Sequence, residues 1–249
     1  MVIERVFFQS NLPKNTSDMK LIYTILIVGS AILLLITSGT FTDLVAWQIH
    51  PTVFLNTMAK YQLFALLVAL FVTISVLILN PGSSQFLSIG QINTPAAKEK
   101  WIGINGKSSW KVNGFQLLCF ISLATATFMF LGVQYTDSMH NFQWGFIPFV
   151  LLFSFTNALA EELIFRFGIV GGLSNQYSQA TISILSGVLF GLPHYFGFPS
   201  GFIGVLMSGM LGYILCKATQ ETKGLSIAWT IHFVQDIIIF TALMMMNVQ

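Results

Sequence analysis

Seven polar side chains stand inside stretches of sequence that are otherwise apolar: Asn157, Glu161, Glu162, Arg166, His194, His232 and Asp236. Each charge among them costs about 2.5–3.5 kcal/mol at the centre of a bilayer on insertion scales, so something must compensate for it. Spacing identifies part of the compensation. Glu162 and Arg166 are four residues apart, stack on one helix face and can pair. Glu161 is turned by about 100° from Glu162 and is left without that cation. Asn157, one turn before it, is close enough to orient it. His232 and Asp236 repeat the four-residue spacing, and an Asp one turn from a His can fix its tautomer and favour its protonation. His194 follows Pro193, which removes a backbone donor and disfavours helix before it. That places His194 at a break where backbone lines a polar cavity and does not face lipid.

The charges do not balance. Glu161, Glu162 and Asp236 against Arg166 leave two net negative charges, to be met by a protonated histidine, a protonated carboxyl or a divalent cation. A buried ion pair that only holds helices together accounts for Glu162 and Arg166, but not for the acids and histidines left over. Of the two neighbouring carboxylates, Glu162 reads as structural and Glu161 as available. Histidine, histidine and carboxylate are also a zinc donor set, which makes His194, His232 and Glu161 the candidate metal ligands and zinc the candidate cofactor. The sequence has no His-Glu-x-x-His zinc motif and no Gly-x-Ser-Gly nucleophile. Cys119 and Cys216 fall in apolar runs with neither disulfide nor ligand spacing, and read as small buried hydrophobes.

The elements that position these groups follow from composition. Only 8% of the 249 residues are charged and 55% are hydrophobic, with a mean hydropathy of +0.77. A water-soluble domain carries about 25% charged residues, so the solvent must be lipid. The net charge of +2 is too small and scattered for a nucleic-acid partner. With about 20 residues needed per crossing, the apolar runs predict an all-α, polytopic membrane bundle of about seven helices. They cover residues 21–38, 61–79, 115–133, 145–170, 180–195, 201–216 and 225–246. The fifth and sixth are short and glycine-rich, the pattern of half-helices lining a cavity. Residues 1–20 form a polar N-terminus, and the first apolar run reads as an uncleaved span, not a signal peptide.

With the N-terminus cytosolic and seven crossings, nine basic residues fall on the cytosolic side: Arg5, Lys14, Lys20, Lys98, Lys100, Lys107, Lys111, Lys217 and Lys223. Lys60 alone falls opposite, a clear positive-inside bias. Residues 21–133 then hold three helices and an amphipathic cytosolic loop, whose Trp101 and Trp110 among lysines suit a headgroup layer. Residues 145–246 hold the charged helices. At 1.5 Å per residue, Glu161 lies roughly 15 Å and His232 roughly 10 Å from the cytosolic ends of their helices, but His194 roughly 20–24 Å. A tilted or late-starting fifth helix is needed to close that gap.

Glu161-Glu162-x-x-x-Arg166, Phe190-x-x-x-His194 and His232-x-x-x-Asp236, in that order on separate apolar segments, resemble the motifs of the CPBP intramembrane proteases. This is the Abi family, which includes the CAAX prenyl endopeptidases and bacteriocin self-immunity proteins. The resemblance covers residues 157–236. It implies a peptidase of metallo- or glutamate type acting on a peptide or prenylated protein in the membrane. Glu161 would activate the attacking water together with His194. His232, with Asp236, would stabilise the oxyanion, and Glu162 and Arg166 would position Glu161. Two positions depart from the common pattern. Phe167 separates Arg166 from Gly168, and Asp236 stands where Asn is also common. An ionised Asp cannot donate a hydrogen bond, so Asp236 either carries a proton, orients His232 or binds a metal. The alternatives are a transporter or proton-coupled permease, and an inactive immunity or binding protein on the same scaffold. No internal repeat supports the transporter. The expected location is the plasma membrane of a prokaryote.

Overall fold

The computed structural model describes residues 14–197 and 200–247. Arg5 and the rest of the polar start of the chain, residues 1–13, lie outside the described residues. The described chain is all-helical: α1 (Lys14–Ile36), α2 (Ser38–Leu44), α3 (Val53–Leu79), α4 (Trp110–Tyr135), α5 (Ile147–Glu161), a π-helical segment (Glu162–Gly171), α6 (Gln179–Gly191), α7 (Gly201–Thr222) and α8 (Ser226–Asn247). Each predicted span coincides with a helix. α2 is an addition, a short turn that leads α1 into α3.

Six helices among the described residues are long and apolar enough to cross a membrane, one fewer than the sequence predicts. The difference is α6. Its 13 residues cover about 20 Å, and Pro193 then leads a 3-10 turn over Leu192–Phe196. α6 lies antiparallel against α7. Gln220 Nε2 donates to Gln179 O at 3.1 Å at one end. At the other, a Cβ added to Gly191 would come within 2.6 Å of Val205 O. Gly187 is equally close to Gly209 O, at 2.7 Å. In lipid, where apolar burial does not drive helices together, close backbone approach of this kind supplies the packing. α7 runs longer than predicted because the charges that marked its end neutralise each other: Lys217 Nζ lies 2.7 Å from Glu221 Oε1, one turn on.

The long helices turn large apolar side chains outward, among them Leu33, Leu70, Phe120 and Leu123. Only lipid tolerates so much exposed apolar surface. Inside, Val28, Ala31, Ala65, Ala69 and Val72 of α1 and α3 pack against Ile164 and Phe167 of the π segment. α8 lies between α4 and α5 and touches α7, so the helix carrying His232 is held on several sides. Cys216 is buried as expected, but Cys119 faces outward, and neither forms a disulfide.

The loop between α3 and α4 is folded. A 3-10 turn (Pro81–Leu87) leads into a hairpin held by two isolated antiparallel bridges, Pro95–Ser109 and Glu99–Ile104. It docks on the α7–α8 turn through Gln91 N to Thr222 O at 2.6 Å and Leu225 N to Ser88 O at 3.0 Å. Trp110 corrects the expectation of a headgroup anchor. Its ring is fully buried, and its Nε1 donates to Glu221 Oε2 at 2.8 Å. Burial removes the indole from water, and the carboxylate supplies the acceptor it then needs. Trp101 remains half-exposed.

Candidate active site

The bundle brings the singled-out residues to one place. Arg166 Nε lies 3.1 Å from Glu162 Oε2, with both side chains fully buried. The guanidinium also covers the Phe190 ring, 4.0 Å from its centroid, which is a cation–π contact. Glu162 has a second partner that spacing within one helix could not reveal. Its Oε1 accepts a hydrogen bond of 2.7 Å from His232 Nδ1, 70 residues further on. Glu162 thus bridges Arg166 and His232.

Glu161, the last residue of α5, has a different environment. Its Oε1 accepts from Asn157 Nδ2 at 3.2 Å. The same nitrogen donates to Asp236 Oδ2 at 3.1 Å, tying α5 to α8. The other oxygen, Oε2, is buried and has no hydrogen-bond partner. His232 Nε2 lies 3.5 Å from it and 3.7 Å from Asp236 Oδ1, both longer than a hydrogen bond. The Glu162 carboxylate meets Arg166 and His232 at 3.1 and 2.7 Å, whereas Glu161 Oε2 has only His232 Nε2, at 3.5 Å.

His194 lines the same cavity but makes no hydrogen bond to Glu161 or His232 among the described residues. Its Nδ1 lies 2.7 Å from Phe190 O. A carbonyl only accepts, so Nδ1 carries the proton and, in the neutral ring, Nε2 keeps its lone pair. The Phe190 ring separates the two histidines, with centroids 4.7 Å from His194 and 5.7 Å from His232. α6 does not start late; it begins at Gln179. α6 ends at Gly191, and the His194 ring folds back to the Phe190 carbonyl of the preceding turn, the direction in which helical side chains lean.

These groups open onto a cavity of about 530 Å³, whose lining includes Asn157, Glu161, His194, His232 and Asp236. Most of the remaining wall is apolar, from Ile32 and Leu35 of α1, Phe128 of α4, Leu211 of α7 and Leu243 of α8. Tyr61 of α3 also lines it, and the charges of Glu161 and Asp236 act on its hydroxyl. The sequence reading missed this residue. Its one available signal was position: a phenol at the start of an apolar run.

Among the described residues no three His, Cys, Asp or Glu side chains are grouped to hold a metal ion. His232 Nδ1 is engaged by Glu162, which leaves its Nε2 facing Glu161 and Asp236 at 3.5 and 3.7 Å.

Residues 143–238 match the family model of the type II CAAX prenyl endopeptidases, Rce1-like. The segment contains Asn157, Glu161, Glu162, Arg166, His194, His232 and Asp236 and agrees with the CPBP resemblance read from the motifs. At the level of the family it supports an intramembrane endopeptidase of the CAAX-protease kind, and hence a peptidase, in an integral membrane protein. No curated protein and no solved structure matches the chain.

Proposed function

We propose that the chain hydrolyses a peptide bond within the bilayer by a water molecule that Glu161 deprotonates. The observation that carries this reading is the Glu161 carboxylate itself. One oxygen is fixed by Asn157, while the other is buried, without a hydrogen bond, beside a cavity large enough for an extended peptide segment. A desolvated acceptor of that kind is suited to take a proton.

Water loses a proton to Glu161 Oε2 while its oxygen bonds to the carbonyl carbon of the substrate. The carbonyl electron pair moves onto oxygen to give a tetrahedral oxyanion. His194 Nε2, the free lone pair of that ring, accepts the second water hydrogen and holds the nucleophile in place. His232 donates from Nδ1 to Glu162, and as an imidazolium it offers Nε2–H to the oxyanion. A charged His232 also offsets part of the negative excess of the site. Asp236 accepts from Asn157, which supports an orienting role for it. The Tyr61 hydroxyl, which also lines the cavity, is a second donor for the developing charge. Collapse of the intermediate expels the amine, which takes the proton from Glu161, leaving a carboxylic acid and an amine; passage of the second water proton from acid to amine then gives carboxylate and ammonium.

The mostly apolar lining favours a lipid-modified or otherwise apolar peptide. The lysine distribution favours a cytosolic N-terminus, and the proposed location is the plasma membrane of a prokaryotic cell. The test is cleavage of a prenylated peptide by purified protein, with and without chelator, beside Glu161→Gln. Turnover insensitive to chelator and lost in Glu161→Gln is expected. Turnover that survives Glu161→Gln sinks the assignment of the base.

A further inference from the structure

The α3–α4 hairpin separates its charges by sign. Its one acid, Glu99, turns inward, where Oε2 accepts from the Tyr213 hydroxyl at 3.1 Å and lies 3.6 Å from Lys217 Nζ. Glu221 of α7 is likewise drawn in, accepting from Ala97 N and Trp110 Nε1, each at 2.8 Å. Lys98, Lys100 and Lys107 stay exposed, and none forms an ion pair among the described residues. Lys98 and Lys107 are neighbours: a Cβ added to Gly106, beside Lys107, would lie 3.1 Å from Lys98 Cβ. The result is a basic face without acids.

The depth of the hairpin says what meets that face. Trp101 is half-exposed and packs on Tyr213, with ring centroids 5.2 Å apart. Tyr213 lies nine residues before Thr222, the end of α7, or about 13 Å along the helix. The hairpin therefore lies along the flank of α7 at the level where the helix enters the bilayer, and does not stand off in water. An indole and a phenol at that depth suit the boundary between headgroups and acyl chains, and cations beside them suit anionic headgroups.

We propose that this face, built from Lys98, Lys100, Lys107 and Trp101, is a binding site for an anionic phospholipid of the adjoining leaflet. Its phosphate meets the lysines and its upper acyl chain lies against Trp101 and Tyr213. The hairpin is bonded to the α7–α8 turn, so the bound lipid clamps the start of the helix that carries His232.

The test uses the full chain in nanodiscs of phosphatidylcholine alone or with phosphatidylglycerol. The wild-type melting temperature should rise with the anionic lipid, and the rise should shrink in high salt. The variant Lys98→Gln/Lys100→Gln/Lys107→Gln should match wild type in phosphatidylcholine and lose most of the rise. Native mass spectrometry should show fewer retained phosphatidylglycerol molecules on that variant. A rise of the same size in wild type and variant overturns the site, as does no rise at all. An equal rise from inorganic phosphate in phosphatidylcholine discs assigns the face to a free anion and overturns the lipid.

Discussion

Two clusters in this molecule use the same parts and finish differently. At the loop end of α7, Glu99 and Glu221 surround Lys217, and each acid meets the cation at 3.6 and 2.7 Å and accepts further bonds from Tyr213, Ala97 or Trp110. In the bundle, Glu161, Glu162 and Asp236 surround Arg166 and His232, yet Glu161 Oε2 has no cation nearer than His232 Nε2, at 3.5 Å, and lies beside a cavity. Buried carboxylates that only hold a structure together are satisfied, because an unmet polar group costs about 1–3 kcal/mol or more. An acid that is shielded from water and still open is retained for another reason. On the function proposed above, the first cluster is scaffold and the second carries the chemistry.

The same substitution in the two places should therefore act in opposite ways. Glu161→Gln should lower the cleavage rate by about 10²–10⁴-fold with little change in melting temperature. Glu221→Gln should leave kcat unchanged and lower the melting temperature. If both variants lose stability and neither loses activity, the distinction between the clusters fails. Arg166→Ala should destabilise the protein by about 3–5 kcal/mol, since it strands Glu162 as a buried charge; its yield and thermal unfolding in detergent report this. A smaller loss would show that His232 alone can hold Glu162. Tyr61→Phe sharpens the comparison most finely. It deletes one hydroxyl from the cavity wall and should reduce kcat about 10²-fold, with KM and folding nearly unchanged. An unchanged kcat removes Tyr61 from the reaction.

Much of this could be read from the sequence because charge is rare in lipid. Seven polar residues in apolar runs stand out, and the four-residue spacing of Glu162 and Arg166 translates directly into the pair at 3.1 Å. Contacts between distant helices were not legible in the same way. The bond from His232 to Glu162 joins positions with no sequence relation, and Tyr61 enters from outside the motif-bearing helices. Trp110 looked like an anchor because composition shows that an indole is near lysines, not which way it faces. The short α6 was partly visible in its glycines and Pro193. The wide helix after Glu161 was not visible at all, since its composition is that of any buried helix.

That wide helix stores information of an unusual kind. From Glu162 to Gly171 the backbone rings close from residue i to i+5, so the facing of Arg166 toward Glu162 depends on how many residues the segment contains. Replacing side chains one at a time would probe every group in the site and never disturb this property. Removing a single residue between Glu162 and Arg166 would keep all of the groups and turn them out of step. In this protein the working geometry is written partly as an alphabet of side chains and partly as a length of chain.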